Sequence, residues 1–262
     1  MVKLIALDLD GTLLDPKGEI TQGAKDAIAK ARLAGVKVVL NTGRPIPEAR
    51  FFAREAGCDE LISCLGGAAL VDGEDGRVLR RFDIPEPSGS RALELCLNRE
   101  IELMIFLGND IYVDPYSKQS LLRTYPFPNF HDNAHEVDDP LTCVREQGLP
   151  VTKIHGDYGD FPLEALRALP GIQLTSSNDH DFELVASGVD KGRTLALLAA
   201  LYGIALEDCA AVGDSDNDLA MLKVVGTPIA MGNASDRVKE AACRVVAPNS
   251  ADGVAEAILS CL

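Results

Sequence analysis

The chain has 262 residues, 47% hydrophobic and 25% charged, a balance that excludes a disordered chain. Twenty-five Lys and Arg against 40 Asp and Glu give a formal charge of −15, which argues against nucleic acid as a partner because binding a phosphate backbone needs basic surface. No apolar run approaches membrane-spanning length, no polybasic cluster marks a lipid anchor, and the apolar N-terminal stretch is too short and too acidic for a signal peptide.

In chain order, KLIALD (3–8) reads as a buried strand that ends in Asp8-Leu9-Asp10-Gly11. Thr21 is a plausible cap for a helix carrying Ala24, Ile28 and Ala31 at helical spacing, and Gly35 stands where a C-cap glycine belongs. VKVVL (36–40) is a second buried strand, ending at Asn41-Thr42-Gly43-Arg44. A helix then runs to about Ala56, and LISCL (61–65) is a third strand that opens into Gly66-Gly67. Strands alternating with helices imply parallel neighbours joined by right-handed crossovers.

The pattern then changes. ALVDGEDGRVLRRF reads as a hairpin, Ser88–Arg99 as a helix, and IELMIFL with IYVD as a second hairpin. The stretch 114–150, rich in Pro, Asn, Asp and His, yields no clear assignment. VTKIHG (151–156) is a strand and Pro162–Leu169 a helix; IQLTSS and FELVAS are strands joined by the polar turn Asn178–Asp181. Residues 84–184 thus form an α+β block that interrupts the alternating chain, and the expected fold is a Rossmann-like α/β core (1–83 and 185–262) with an inserted α+β domain. Alternation resumes with a helix over 191–202, the buried strand CAAVGD (209–214), two short strands at GTPIAM and CRVVA around a helix from Ser235 to Ala242, and a closing amphipathic helix to Cys261.

Seven cysteines form no C-x-x-C pair and several lie in apolar surroundings, so buried reduced thiols and a cytoplasmic location are expected.

Polar groups collect after four predicted strands: Asp8 with Asp10, Thr42-Gly43-Arg44, Gly66-Gly67, and Asp214-Ser215-Asp216-Asn217-Asp218. Open α/β sheets bind ligands beyond the carboxyl ends of their strands, where strand order reverses. Asp8 and Asp10 alone could be turn or cap residues. Four carboxylates near one crevice repel one another unless a cation joins them, and Mg²⁺ is the hard ion usually found beside phosphate. A metal, exposed amides after Gly11 and an available carboxylate together suggest phosphoryl transfer through an aspartyl-phosphate.

LDLDGTLLD, NTGR, GVDKG and VGDSDNDLAML, in this order and spacing, resemble the four motifs of the haloacid dehalogenase superfamily. The inserted block and the tail GTPIAMGNASDRVKEAACRVVAPNSADGVAEAI resemble its Cof-type sugar-phosphatase branch, subclass IIB. The resemblance implies that Asp8 is the nucleophile and that Asp10 protonates the leaving oxygen and later activates water. It further implies that Mg²⁺ is held by Asp8, the backbone carbonyl of Asp10 and Asp214, with Asp218 behind them and Ser215 at the edge. Leu9, Thr42 and Gly43 would hold phosphate oxygens, Lys191 would neutralise nucleophile and phosphate, and Asn217 would donate a further hydrogen bond. Lys191 at a helix N-terminus is otherwise a solvated end, slightly unfavourable to the dipole. Arg44 is either a substrate clamp or a surface charge, and Asp216 a turn residue. The four histidines are read as non-catalytic, with His155 and His180 as those that could face substrate. Where the family commonly has Asn-Gly-Ala, this chain has Gly66-Gly67-Ala68 and lacks the amide.

The implied substrate is a small phosphorylated metabolite, with no nucleic acid or membrane partner; the sequence is silent on oligomeric state. Two other readings share the motifs: a phosphomutase of the same superfamily, and a non-catalytic phosphometabolite-binding protein. A receiver-type signalling module also has an acidic pocket, but it is much shorter and has no inserted domain.

Overall fold

Short runs buried on both faces build the central sheet. Leu4–Leu7, Val38–Leu40 and Cys209–Val212 are all fully buried, as parallel strands covered by helices must be. The computed structural model describes residues 1–97, 101–157, 163–175 and 180–262. The chain divides into two compact units, Met1–Arg80 with Asp190–Leu262, and Arg81–Val189.

The first unit opens with β1 (Leu4–Leu7), α1 (Gln22–Leu33), β2 (Lys37–Leu40), α2 (Ile46–Ala56), β3 (Leu61–Cys64), β4 (Ala69–Asp72) and β5 (Val78–Arg81), whose last residue begins the second unit. The second unit holds α3 (Ser88–Leu97), β6 (Leu103–Leu107), β7 (Asp110–Val113), α4 (Pro115–Thr124), α5 (Pro128–His131), β8 (Ala134–Glu136), α6 (Pro140–Gln147), β9 (Val151–Asp157), α7 (Leu163–Arg167), β10 (Ile172–Thr175) and β11 (Asp181–Ala186). The first unit then resumes with α8 (Lys191–Leu201), β12 (Cys209–Gly213), α9 (Leu219–Val224), β13 (Thr227–Ala230), α10 (Asp236–Ala241), β14 (Arg244–Val245) and α11 (Gly253–Leu259).

In the first unit, five strands pair in parallel in the order β14-β13-β12-β1-β2. The chain builds outward from β1 through β2, then returns to the other side of β1 with β12. That reversal sets the carboxyl ends of β1 and β12 side by side, the place where such sheets bind ligands. The third expected parallel strand, β3, lies beside β2 in the expected direction, joined by the parallel bridge Asn41↔Ser63, and it also pairs antiparallel with β4 in a three-stranded sheet. The antiparallel partner follows from the turn at Leu65-Gly66-Gly67, whose φ values of 55°, 70° and 97° reverse the chain at once. Gly67 permits close packing there: a Cβ would stand 2.3 Å from the Asp190 carbonyl oxygen.

The second unit is a six-stranded sheet, β10-β11-β9-β6-β7-β8, antiparallel except for β7 with β8. Its strands alternate. Ile105, Ile154, Phe182 and Leu184 pack with Leu93, Val144 and Leu166 of the helices in one apolar cluster. The intervening positions carry Lys153 paired to Glu183 at 2.6 Å and His155 at 3.3 Å from Asp181. The stretch 114–150 contains α4, α5, β8 and α6. Asp114-Pro115 and Asp139-Pro140 start two of these helices, each Asp capping a backbone N–H and each Pro filling the first turn.

Arg99, Pro162 and Asn178-Asp179, expected at a helix end, a helix start and a turn, lie outside the described residues. All seven cysteines are free; Cys64, Cys96, Cys143 and Cys209 are buried, whereas Cys243 is exposed and Cys58 and Cys261 are half-buried. No helix among the described residues is long and apolar enough to cross a membrane.

Candidate active site

The backbone of β1 delivers Asp8. Its N–H donates to the Val212 carbonyl (3.0 Å), so it extends the β1–β12 ladder, and the residue is 4% exposed. The chain then turns over Leu9–Leu13 around Gly11, whose φ is +78°. A Cβ on Gly11 would stand 2.3 Å from an Asp214 carboxylate oxygen, so glycine is required both by conformation and by the closeness of that acid.

Asp214 follows β12 directly. Thr12 Oγ1 donates to its Oδ1 (3.1 Å), and Asn233 Nδ2 approaches its Oδ2 (3.4 Å) while donating to the Gly11 carbonyl (2.8 Å). Carboxylate oxygens of Asp8, Asp214 and Asp218 all lie within 4.8 Å of one another. Asp218 is fully buried and committed: Oδ1 accepts from Lys191 Nζ (2.6 Å), and Oδ2 accepts from the backbone N–H groups of Asp214 (2.9 Å) and Ser215 (3.1 Å). Its oxygens thereby shape the loop that presents Asp214.

Lys191 opens α8 and is 1% exposed. Its ammonium donates to Asp8 Oδ1 (2.6 Å), Asp218 Oδ1 (2.6 Å) and Asn217 Oδ1 (3.2 Å). Asn41, at the end of β2, holds this helix start by donating Nδ2 to the Lys191 carbonyl (2.9 Å), and Thr194 donates to the Gly67 carbonyl (2.6 Å). Ser215 Oγ also donates to Asn217 Oδ1 (2.9 Å), so the amide nitrogen is the part of Asn217 left to meet a ligand.

Electrostatics report a shortage of positive charge. Burial, with the charges of Asp218 and Asp214, holds Asp8 well above the usual carboxylate range despite Lys191. Burial and Asp218 push Asp214 up to about 6, against the Thr12 hydrogen bond. Burial opposes the charge of Lys191, but Asp218 and Asp8 outweigh it and raise its pKa above the ordinary lysine value. A divalent cation fits this donor set: the carboxylates of Asp8 and Asp214 converge, carry oxygen ligands suited to a hard ion, and each binds protons too readily without one.

The loop after β2 completes the site. Thr42 N donates to the Ser63 carbonyl (2.9 Å), and Thr42 Oγ1 accepts from the Arg44 N–H (3.1 Å). Arg44 is 8% exposed, so it is not a surface charge. Its guanidinium grips Asp10, with Nη2 donating to Oδ1 (2.6 Å) and Nε to Oδ2 (2.9 Å), and a third nitrogen donates to Glu48. Asp216 is exposed and pairs with Arg237 at 2.6 Å.

The structure brings Asp8, Asp214, Asp218, Lys191, Asn217 and Ser215 together, and Asp10 with Arg44. Sequence reasoning missed Thr12, Asn41, Glu48 and Asn233. Thr12 and Asn41 lay inside the quoted motifs LDLDGTLLD and NTGR, and Asn233 inside GTPIAMGNASDRV; Glu48 carried no signal beyond a helix first turn.

Residues 5–258 match the haloacid dehalogenase-like hydrolase family. The chain is 30% identical over 257 residues to the 5-amino-6-(5-phospho-D-ribitylamino)uracil phosphatase YcsE of Bacillus subtilis (strain 168), covering 98% of this chain and 94% of that one. It is 28% identical over 274 residues to the pyridoxal phosphate phosphatase YbhA of Escherichia coli (strain K12), covering 98% of each. Among solved structures, a haloacid dehalogenase-like hydrolase from B. subtilis superposes with a TM-score of 0.87 at 28% identity, over the whole of both chains.

Proposed function

The chain belongs to the haloacid dehalogenase-like hydrolase family and is a phosphatase of small phosphorylated molecules, and from that premise we propose a Mg²⁺-dependent reaction on sugar phosphates and related esters, run through an aspartyl-phosphate on Asp8. The observation that carries this reading is the buried Asp8 carboxylate, fixed by Lys191 at 2.6 Å beside Asp214 at the strand-order reversal.

Asp8 attacks phosphorus in line with the ester oxygen, forming an O–P bond as the P–O(alkyl) bond breaks. Asp10 gives its proton to the departing alkoxide, then takes a proton from the water that cleaves the aspartyl-phosphate. Lys191 favours the ionised form of Asp8, against burial and the neighbouring acids, and faces the charge of the phosphoryl group. The Leu9 and Gly43 amides, the Thr42 hydroxyl and the Asn217 amide donate to phosphoryl oxygens, and each such donor is worth roughly 3–4 kcal/mol when removed singly. Asp8, Asp214 and the Asp10 carbonyl would hold Mg²⁺, with Asp218 and Ser215 fixing the loop behind it; when bound, the ion supplies charge neutralisation beside the phosphate. The Arg81–Val189 unit is read as a cap that sets specificity. Relatives named as phosphatases favour hydrolysis over phosphomutase or binding-only readings.

A panel of phosphorylated metabolites, including sugar phosphates, tests the proposal. Phosphate should appear with Mg²⁺ and not after chelation, and Asp8→Asn should abolish it with the fold intact. Isomerised sugar phosphate without free phosphate would favour the mutase, and intact substrate throughout would favour a binder.

A further inference from the structure

Arg44 stands between two carboxylates of the first unit. Its guanidinium clamps both oxygens of Asp10, at 2.6 and 2.9 Å, and its Nη1 donates to Glu48 Oε2. Glu48 lies one turn further along, in the first turn of α2, and its side chain is 1% exposed. Phe52, one turn beyond, sets its ring 5.6 Å from the guanidinium carbon. The backbone is held as well: Arg44 N–H donates to Thr42 Oγ1, and its carbonyl accepts from Leu65 N (3.0 Å).

Asp10 is the opposite case. Its side chain is 55% exposed, and Arg44 is its side-chain partner among the described residues. A half-exposed aspartate left alone samples several rotamers, whereas a planar guanidinium fork fixes both oxygens in one plane. The fork orients only if it is itself fixed, and a buried glutamate on a rigid helix does that.

We propose that Glu48 and Arg44 are positioning residues for Asp10: Glu48 locks the guanidinium, and the guanidinium fixes the orientation from which the Asp10 carboxyl meets the leaving oxygen. In this role Glu48 acts through Arg44, the guanidinium it holds. The inference rests on the reading of Asp10 as the proton-carrying group.

Leaving-group dependence separates orientation from mere stability. The quantity kcat/KM reports the steps up to aspartyl-phosphate formation, where a proton on the leaving oxygen matters most for a poor leaving group. We would measure it with phenyl phosphates running from p-nitrophenyl, which departs without a proton, to p-methoxyphenyl, which benefits from one. Glu48→Gln is isosteric and removes the charge; Arg44→Lys keeps the charge and removes the fork. If one variant fails to fold, the other carries the comparison. Each should lower kcat/KM by about 10²-fold for the p-methoxy ester and by less than about 3-fold for the p-nitro ester. Asp10→Asn serves as reference and should steepen the same dependence. An equal loss on every ester, or none, in Glu48→Gln and Arg44→Lys while Asp10→Asn steepens it would overturn the positioning role and leave the Asp10 reading standing. A flat dependence in Asp10→Asn would overturn both.

Discussion

Replacing Lys191 by methionine removes the one ammonium that joins Asp8 to Asp218. Wild-type Lys191 meets each carboxylate at 2.6 Å, with side-chain exposures of 1%, 5% and 0% for Lys191, Asp8 and Asp218. Removing one partner of such a buried pair leaves an uncompensated charge and typically costs about 3–5 kcal/mol. For a chain of this size, 1 kcal/mol moves the thermal midpoint by roughly 2–4 °C, so the metal-free variant should melt roughly 6–20 °C below the metal-free wild type near neutral pH. The sign with pH follows from the carboxylates. Asp8 already binds its proton more tightly than usual through burial and Asp218, and losing Lys191 raises its pKa further. Protonation relieves the excess charge, so the deficit should be largest near pH 7.5 and shrink toward about pH 5. Mg²⁺ should recover part of the loss by binding the folded state. Thermal unfolding followed by circular dichroism, with chelator and with Mg²⁺ at both pH values, is the assay. Equal midpoints at neutral pH, or a deficit unchanged by acid, would refute the reasoning.

Two further outcomes follow from the same carboxylates. Because burial and Asp218 push Asp214 up to about 6 without metal, Mg²⁺ binding near pH 6 should release about half a proton from this group, and the release should fade toward pH 8; calorimetry in buffers of different ionisation enthalpy measures it, and Asp214→Asn should remove that share. Gly11→Ala should weaken Mg²⁺ binding and activity by displacing Asp214, since the new methyl would stand 2.3 Å from its carboxylate at a φ of +78°; wild-type Mg²⁺ affinity in that variant would count against the packing argument.

Much of this architecture is legible in the sequence. Runs such as LIAL and CAAVG lack alternation because both faces are covered, and each is followed directly by an aspartate, so Asp8 and Asp214 could be placed at adjacent strand ends. A lysine at a helix N-terminus, where the dipole disfavours it, pointed to nearby negative charge, and Lys191 has two buried partners. Other parts resisted for physical reasons. Thr12 reaches Asp214 and Asn233 reaches Gly11 across more than 200 residues, and polar contacts at that separation leave no local pattern. Glu48 reads as an ordinary acid in a helix first turn; in the fold its buried carboxylate pairs with Arg44, which in turn pairs with Asp10. LISC runs parallel beside β2 as its composition suggests, but the left-handed run at Leu65–Gly67 also folds β4 back on it as an antiparallel partner. Between residues 114 and 150 the elements are three to ten residues long, too short for a sustained period to emerge.

The central claim is that Asp8 carries the phosphoryl group. The direct measurement is to quench Asp10→Asn during turnover of ³²P-labelled substrate, in which release from the enzyme is slowed, and to locate the acid-stable, base-labile label by peptide mass spectrometry. The account predicts phosphate on Asp8 and no label in the Asp8→Asn, Asp10→Asn double variant. Label on another residue, or turnover with no label at all, would contradict it.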